Sequence, residues 1–326
     1  MPEFGPPNRN SDLRTGIRTS EPEFGPLVRK KISDRRSEFL NKHYVRKLLL
    51  IFILLLTGAG LAAQDQRIPQ EPPRPKIEFS VEGGIYRHAQ VVQLFCEGAK
   101  IFYTTDGSFP SRRSTPYRRP LLVKSTAVVR GVAYRDGQQS PIAAHTYLID
   151  EPATDFAVVS LTTDPDLLFD PETGLYMQGP DYTGDLHLGS KANFLSHDEV
   201  TGNCEIFDPQ GQTLFRSYCG LRLFGGMSRF FPQKSLTVVA RDRYGKKRIR
   251  KRLFDNGPDD LKFIVLRNSG SDFGKTHFRD LLMTGLAAGL DLDLQAGRPA
   301  HVYINGHYWG VYNIREKINR YFIADH

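Results

Sequence analysis

The sequence predicts an α+β protein in two parts, a small β-sandwich followed by a mostly antiparallel α+β domain. Three observations support this fold class. Residues 76–150 contain short apolar strands separated by frequent turn residues, without a helical period. Residues 205–241 and 300–314 again read as strands. Apolar residues at helical spacing come late, over about residues 275–290.

Composition places the chain among ordinary globular proteins. Its 326 residues suffice for two domains, and 40% of them are hydrophobic and 25% charged. The net charge is +8, but residues 1–63 hold 11 Lys and Arg against 6 Asp and Glu, which accounts for +5. The remaining +3 is too small to indicate nucleic-acid binding, so no nucleic-acid partner is expected.

The strongest apolar run lies near the start of the chain. Nine apolar residues at 48–56 follow Arg46 and Lys47 and precede a Gly/Ala-rich stretch. This pattern predicts a signal peptide over residues 48–63, cleaved after Ala62 or Ala63. A transmembrane anchor is the alternative, but the run is shorter than the roughly 20 residues needed to cross a bilayer. We therefore expect a secreted, periplasmic or cell-surface protein without a stable membrane span after cleavage.

The flanks of this run cannot build a core. Residues 1–47 are polar and rich in Arg and Pro, which is typical of a disordered tail or of a start codon assigned too early. Residues 64–75 form a Pro-rich linker. Export would permit disulfides. Cys204 and Cys219 flank a turn at residues 208–211, so a bridge and two separate buried thiols are both open.

The first part contains a recognisable pair of strands. Residues 101–111 read Ile-Phe-Tyr-Thr-Thr-Asp-Gly-Ser-Phe-Pro-Ser, and residues 127–137 read Ala-Val-Val-Arg-Gly-Val-Ala-Tyr-Arg-Asp-Gly. They resemble the chitobiase/β-hexosaminidase C-terminal-type domain, a fibronectin-III-like sandwich found beside catalytic domains in secreted bacterial proteins. Tyr103, Tyr117 and Tyr134 are expected to pack this sandwich, and glycan contact through them is the alternative.

The second part contains a glycine turn followed by cations. Gly225 and Gly226 let backbone N–H groups turn toward an anion, and Arg229 and Lys234 add positive charge. Protein kinases reach nucleotide phosphates with a strand lysine behind a glycine loop, and a glutamate, here Glu316, holds that lysine. The alternative is a solvated lysine and a surface carboxylate.

Other charged and aromatic residues need partners as well. Arg267 ends a buried strand, where a charge is costly unless paired, so it is predicted to bond a carboxylate or a phosphate. Residues 279–280 fit capping and ion pairing at the start of a helix. Residues 305–306 are Asn-Gly, a favoured type I′ hairpin turn. Tyr308 and Trp309 are expected to pack the core of this hairpin.

Taken together, these motifs resemble a known family. The segments at 225–236, 240–245, 266–270, 278–280 and 305–316 resemble, in order and spacing, the CotH family of spore-coat-protein-H-like atypical protein kinases. The resemblance spans residues 155–326. It implies a kinase-like fold in a bacterial protein that binds ATP with Mg²⁺ or Mn²⁺ and phosphorylates secreted proteins. It also implies a role for each site residue: Lys234 contacts phosphates, Glu316 orients Lys234, and Arg229, Arg267, Gly225 and Gly226 assist.

The catalytic and metal-binding acids of that family follow the Arg-Glu motif. None of these acids can be assigned to a residue of this sequence. The kinase-like domain is therefore predicted to be incomplete and the chain to be inactive as it stands. A second hypothesis is a secreted cell-surface or matrix protein that binds glycan or protein through its sandwich, with the kinase-like part as a scaffold.

Overall fold

The computed structural model describes residues 74–187 and 189–326. The predicted tail, signal peptide and most of the linker lie outside these residues. The described residues form one compact unit. Among them, no helix is both long and apolar enough to cross a membrane.

Residues 76–150, predicted as a β-sandwich, contain ten short strands. They are β1 (Glu78–Phe79), β2 (Gly84–Tyr86), β3 (Gln90–Val92), β4 (Leu94–Phe95), β5 (Lys100–Thr104), β6 (Thr115–Pro116), β7 (Leu121–Val123), β8 (Ala127–Arg135), β9 (Gln138–Gln139) and β10 (Ala143–Ile149). The larger sheet has the strand order β2-β10-β8-β5-β6, with β9 paired to β8, and there are two small ladders, β1-β4 and β3-β7. Ile77, Val92, Val129 and Tyr147 belong to the hydrophobic core of this part, which is called the sandwich below.

The second part contains nine strands among its described residues. They are β11 (Ala157–Thr162), β12 (Val200–Phe207), β13 (Thr213–Phe224), β14 (Ser235–Val239), β15 (Ile249–Arg250), β16 (Asp260–Leu261), β17 (Phe263–Arg267), β18 (Gly297–Ile304) and β19 (His307–Glu316). Seven of them form a closed barrel with the order β11-β12-β13-β14-β17-β19-β18, and β15 and β16 form a separate pair. All neighbours in the barrel are antiparallel except β11 and β18, whose parallel pairing closes it.

Three short helices accompany the barrel. They are α1 (Pro165–Phe169), α2 (Arg279–Leu286) and α3 (Arg320–Asp325). Asp164 caps α1 by accepting from the backbone N–H of Asp166. The described residues are therefore mostly β, and α2 is shorter than the helix predicted over residues 275–290.

Two hairpin predictions are confirmed. The turn at residues 208–211 joins β12 to β13, and the Asn305-Gly306 turn joins β18 to β19. Asn305 and Gly306 both adopt the left-handed conformation that a type I′ turn requires, with φ of 51° and 81°. Cys204 lies opposite Ser217 rather than Cys219, and both thiols are buried and free.

Candidate functional site

The glycine turn follows β13 and enters a short 3₁₀ helix, Met227–Phe230. Gly225 has a φ of +106°, which L side chains rarely adopt, and a Cβ there would lie 2.4 Å from Ser228 Oγ. The N–H of Arg229 donates to Gly226 O at 3.0 Å and closes the turn. The positive φ therefore favours glycine at position 225, and a Cβ would also require the Ser228 hydroxyl to move.

Arg229 is buried beneath this turn, with 7% of its surface exposed. Its Nη1 donates to the carbonyl oxygens of Leu195 and Ser196, both at 3.0 Å. Its buried Nε has no hydrogen-bond partner among the residues that the structure describes. Burial, and then the nearby charge of Arg222, lower the pKa of Arg229. The side chain ties the glycine turn to the 193–196 segment and keeps one unused donor.

Lys234 is buried to a similar extent, with 6% of its surface exposed. Its Nζ donates to Arg229 O at 2.6 Å and to Phe231 O at 2.9 Å, and it lies 4.4 Å from the centre of the Phe194 ring. Burial lowers the pKa of Lys234 to about 8. Lys234 is thus not a solvated surface lysine, since its ammonium closes the loop from within.

The predicted ion pair between Lys234 and Glu316 is not formed. Strand register puts Glu316 level with Val238, four residues from Lys234, or ~13 Å along the strands. Glu316 Oε2 instead accepts from the backbone N–H of Ala296 at 2.7 Å, and Oε1 lies 3.1 Å from His326 Nε2. Lys234 and Glu316 therefore occupy different levels of the barrel.

Arg267 forms an ion pair with a carboxylate, one of the two partners that its position predicts. Its Nε lies 3.6 Å from Asp280 Oδ2. The same carboxylate oxygen accepts from Nη1 of Arg315 at 2.8 Å, and Arg315 is fully buried. Residues 279 and 280 at the start of α2 are indeed ion-paired, since Arg279 Nη2 lies 3.2 Å from Asp272 Oδ1. Asp280 thus pairs with Arg267 and Arg315 rather than with Arg229 or Lys234.

Asn268 was not among the site residues predicted from the sequence. Its Nδ2 donates to Gln233 O at 2.6 Å and to Ser228 O at 3.3 Å, and its Oδ1 accepts from Ser235 Oγ at 2.8 Å. It connects the glycine turn to both β14 and β17. A buried Asn directly after a strand, in the Leu-Arg-Asn-Ser-Gly segment, was the available signal, because such an amide must find several backbone partners.

The residues of this site suit a phosphate group but do not suit a divalent metal ion. Two buried cations beside a glycine turn, with Arg229 Nε unpaired, suit phosphate oxygens. In the described part of the chain, no group of three or more His, Cys, Asp or Glu residues could hold a metal ion. Asp272 and Asp280 are both engaged by arginines. A divalent metal therefore has no site here that these residues would form.

Comparison with protein families gave two matches. Residues 221–326 match the CotH kinase protein model. Residues 81–145 match the chitobiase/beta-hexosaminidase C-terminal domain model. The comparison with curated proteins gave no match. Both resemblances of the sequence are confirmed over these residues, the first from β13 to α3 and the second over most of the sandwich.

Proposed function

Since residues 221–326 carry a CotH-type segment behind a chitobiase-type sandwich, we propose that the barrel is the phosphate-binding part of a secreted, CotH-like atypical protein kinase. ATP would supply the phosphoryl group, and an exported protein would receive it. The proposal includes the kinase-like fold that the CotH resemblance implies. The segment that matches the family contains Gly225, Gly226, Arg229, Lys234 and the Arg-Glu pair at 315–316.

One observation carries the proposal: Arg229 and Lys234 are buried cations that meet no carboxylate among the described residues. Burying a charge is costly unless it is paired, and here only neutral carbonyl oxygens and an aromatic ring offset the cost. A phosphate oxygen would be a stronger acceptor for both side chains. An anion in this position would also favour the ammonium form of Lys234, whose pKa burial has lowered to about 8.

The residues have separate tasks in this proposal. Arg229 and Lys234 hold phosphate oxygens, and the backbone N–H groups of Gly225 and Gly226 complete the cradle. Asn268 connects the glycine turn to β14 and β17 and so fixes the position of the cradle. Phosphoryl transfer depends mostly on positioning and charge neutralisation, and these residues supply both on one side of the phosphates.

Phosphate transfer tests the proposal. The family resemblance places the catalytic and metal-binding acids after Glu316, so the assay uses the full protein that contains residues 1–326. With radiolabelled ATP and Mg²⁺ or Mn²⁺, it is expected to label itself or casein. Lys234→Ala is expected to weaken ATP binding at least tenfold in calorimetry and to abolish transfer. Lys251→Ala, at an exposed lysine, is the matched control and should leave both unchanged.

The 326-residue chain itself is expected to transfer no phosphate. Transfer by this chain would show that an acid such as Asp272 or Asp280 serves in catalysis. Circular dichroism of Lys234→Ala checks that the fold is kept. A full protein whose ATP binding and phosphate transfer are both unchanged by Lys234→Ala would remove the kinase role of this lysine.

A scaffold function is the second candidate, and the placement of Lys234 and Glu316 favours it. Lys234 already uses two donors to close its own loop, and Glu316 bonds the backbone of Ala296. Under this hypothesis the chain is a secreted cell-surface or matrix protein, and the buried cations only stabilise the barrel. Lys234→Ala would then lower stability while no nucleotide binding is detected in the wild-type protein.

A further inference from the structure

A groove runs between the sandwich and the barrel on a face that the kinase proposal does not use. It encloses about 950 Å³ and is lined by the end of β2, the segment 151–155 that links the two parts, residues 209–210 of the β12–β13 turn, and strands β18 and β19. This volume lies at the upper end of the range for small-molecule sites, which often form between domains.

The groove has an apolar floor and an aromatic wall. Ile85, Leu148 and Val158 provide the floor and pack with Tyr303. The Tyr303 and Tyr308 rings meet edge to face with their centres 5.3 Å apart. Tyr308 is 53% exposed, so the prediction that it packs the hairpin core is wrong. Trp309 does pack inward, against Phe169 and Tyr176.

Hydrogen bonds fix the polar groups of the wall. Tyr303 OH donates to Glu151 Oε2 at 2.9 Å. His301 lies between Tyr308 OH, 3.0 Å from Nδ1, and Thr154 Oγ1, 3.1 Å from Nε2. Burial lowers the pKa of His301, so this ring is neutral at pH 7. The exposed Tyr308 ring is therefore held in place without a charge beside it.

Three polar side chains on the rim are unused. Arg87, Asp155 and Gln210 line the groove and are exposed. In the described part of the chain their side chains make no hydrogen bond or ion pair. The lining holds two acidic side chains, Glu151 and Asp155, against one basic side chain, Arg87, a formal charge of −1. A phosphate or another strongly anionic ligand is disfavoured here.

We propose that this groove binds a neutral oligosaccharide. A sugar ring has an apolar face, which suits the exposed face of Tyr308, and hydroxyl groups that both donate and accept. Arg87 and Gln210 offer donors, and Gln210 and Asp155 offer acceptors. Charge, aromatic exposure and unused hydrogen-bonding capacity thus point to the same class of ligand. The proposal does not depend on kinase activity.

The tyrosines that the sequence offered for glycan contact are engaged elsewhere. Tyr103 and Tyr117 pack edge to face, 6.5 Å apart, against the core of the sandwich. The guanidinium of Arg112 covers the Tyr134 ring at 4.0 Å. These contacts agree with the expectation that the three tyrosines pack within the sandwich. The proposed glycan site instead lies at Tyr308 on β19.

The test is calorimetric titration of the chain with three neutral hexasaccharides: cellohexaose, maltohexaose and N-acetylchitohexaose. At least one is expected to bind with a Kd below 1 mM. Tyr308→Ala is expected to weaken this binding at least tenfold, because the stacking surface is lost, and Gln210→Ala to weaken it severalfold. Tyr308→Phe keeps the ring and should retain most of the affinity. Tyr134→Ala is the matched tyrosine control and should not change it.

Three results would overturn the proposal. The first is that none of the hexasaccharides binds. The second is binding that survives Tyr308→Ala or is lost in Tyr134→Ala, which would place the sugar elsewhere. The third is Tyr308-dependent binding of peptides from a tryptic digest of casein without any sugar binding, which would identify a peptide groove.

Discussion

Lys234 shows how a single buried charge connects sequence, stability and function. Lys234 directly precedes β14, and the alternation of side chains places it on the same face as Leu236 and Val238, which belong to the barrel core. An ammonium group on that face must be hydrogen-bonded, and the carbonyls of Arg229 and Phe231 meet this need. The residue therefore costs stability as a cation while it fixes the loop in which Arg229 lies.

The stability of the protein should depend on the charge of Lys234. Its pKa falls from 10.5 in the unfolded chain to about 8 in the fold. Above pH 10.5 both states are neutral, and below pH 8 both are charged, so the cost of burying the charge is fully present below pH 8. It is relieved as pH rises from 8 to 10.5, because the unfolded state then binds more protons.

Urea unfolding at pH 7 and pH 9.5 measures this effect. The free energy of unfolding of the wild type, relative to Lys234→Met, is expected to rise by about 2 kcal/mol between the two pH values. The Met variant removes the titrating group, so the background titration of all other groups cancels in the difference. An equal pH response in both proteins would show that Lys234 is not held at a lowered pKa.

At the scale of elements, α2 is held by charge rather than by an apolar face. None of its residues is buried, and Leu282, Met283 and Leu286 are among the exposed hydrophobic residues. The helix is attached to the barrel through Asp280, whose carboxylate meets Arg315 on β19 and Arg267 on β17. The apolar spacing predicted the helix, but the ion pairs dock it.

Removing Asp280 should destabilise the protein strongly. Asp280→Ala would leave the fully buried Arg315 with only the carbonyl of Gln295 at 2.9 Å and the more distant Thr284 hydroxyl as partners. Breaking a buried pair on one side costs about 3 kcal/mol. Chemical denaturation measures the loss, and Asp291→Ala, at an exposed aspartate, is the control. A loss no larger than in the control would contradict this account of how α2 is docked.

At the scale of the whole molecule, the sandwich and the barrel share a buried polar contact. Glu205 of β12 is fully buried and accepts from Nε of Arg216 and from the backbone N–H of Thr146, both at 2.7 Å. Nη2 of Arg216 also donates to Gly83 O at 2.7 Å. Gly83 is needed here, because a Cβ would lie 2.8 Å from Glu205 Oε1. The sandwich is thereby docked on the barrel through the Glu205 carboxylate, which is buried and therefore has to be paired.

Breaking this contact should lower the stability of both parts together. Arg216→Ala leaves the Glu205 carboxylate buried without its cation, with an expected loss of about 3–5 kcal/mol. Trp309 fluorescence reports on the barrel, and protection of Cys96 from a thiol reagent, read by mass spectrometry, reports on the sandwich. Both transitions are expected to coincide, and Arg119→Ala, at an exposed arginine of the sandwich, should not shift them. A wild type that exposes Cys96 at lower denaturant than Trp309 would show two independent parts.

The sequence by itself determined the features that local chemistry controls. The Asn305-Gly306 turn, the hairpin at residues 208–211 and most strands follow from side-chain preference and alternation over a few residues. The need of Arg267 for an oxygen partner follows from its place at the end of an apolar strand. The two family resemblances could be recognised because their motifs lie within short, continuous stretches.

Only the tertiary structure decided the features that depend on register between distant strands. The parallel pairing of β11 with β18 joins residues about 140 positions apart and closes a barrel that alternation could not predict. Register also separates Lys234 from Glu316 by four residues along the strands, although the analogy with protein kinases suggested a pair. Tyr308 faces a groove because two parts of the chain meet beside it. Side-chain alternation fixes which face a residue takes, but strand pairing across the whole molecule fixes its neighbours.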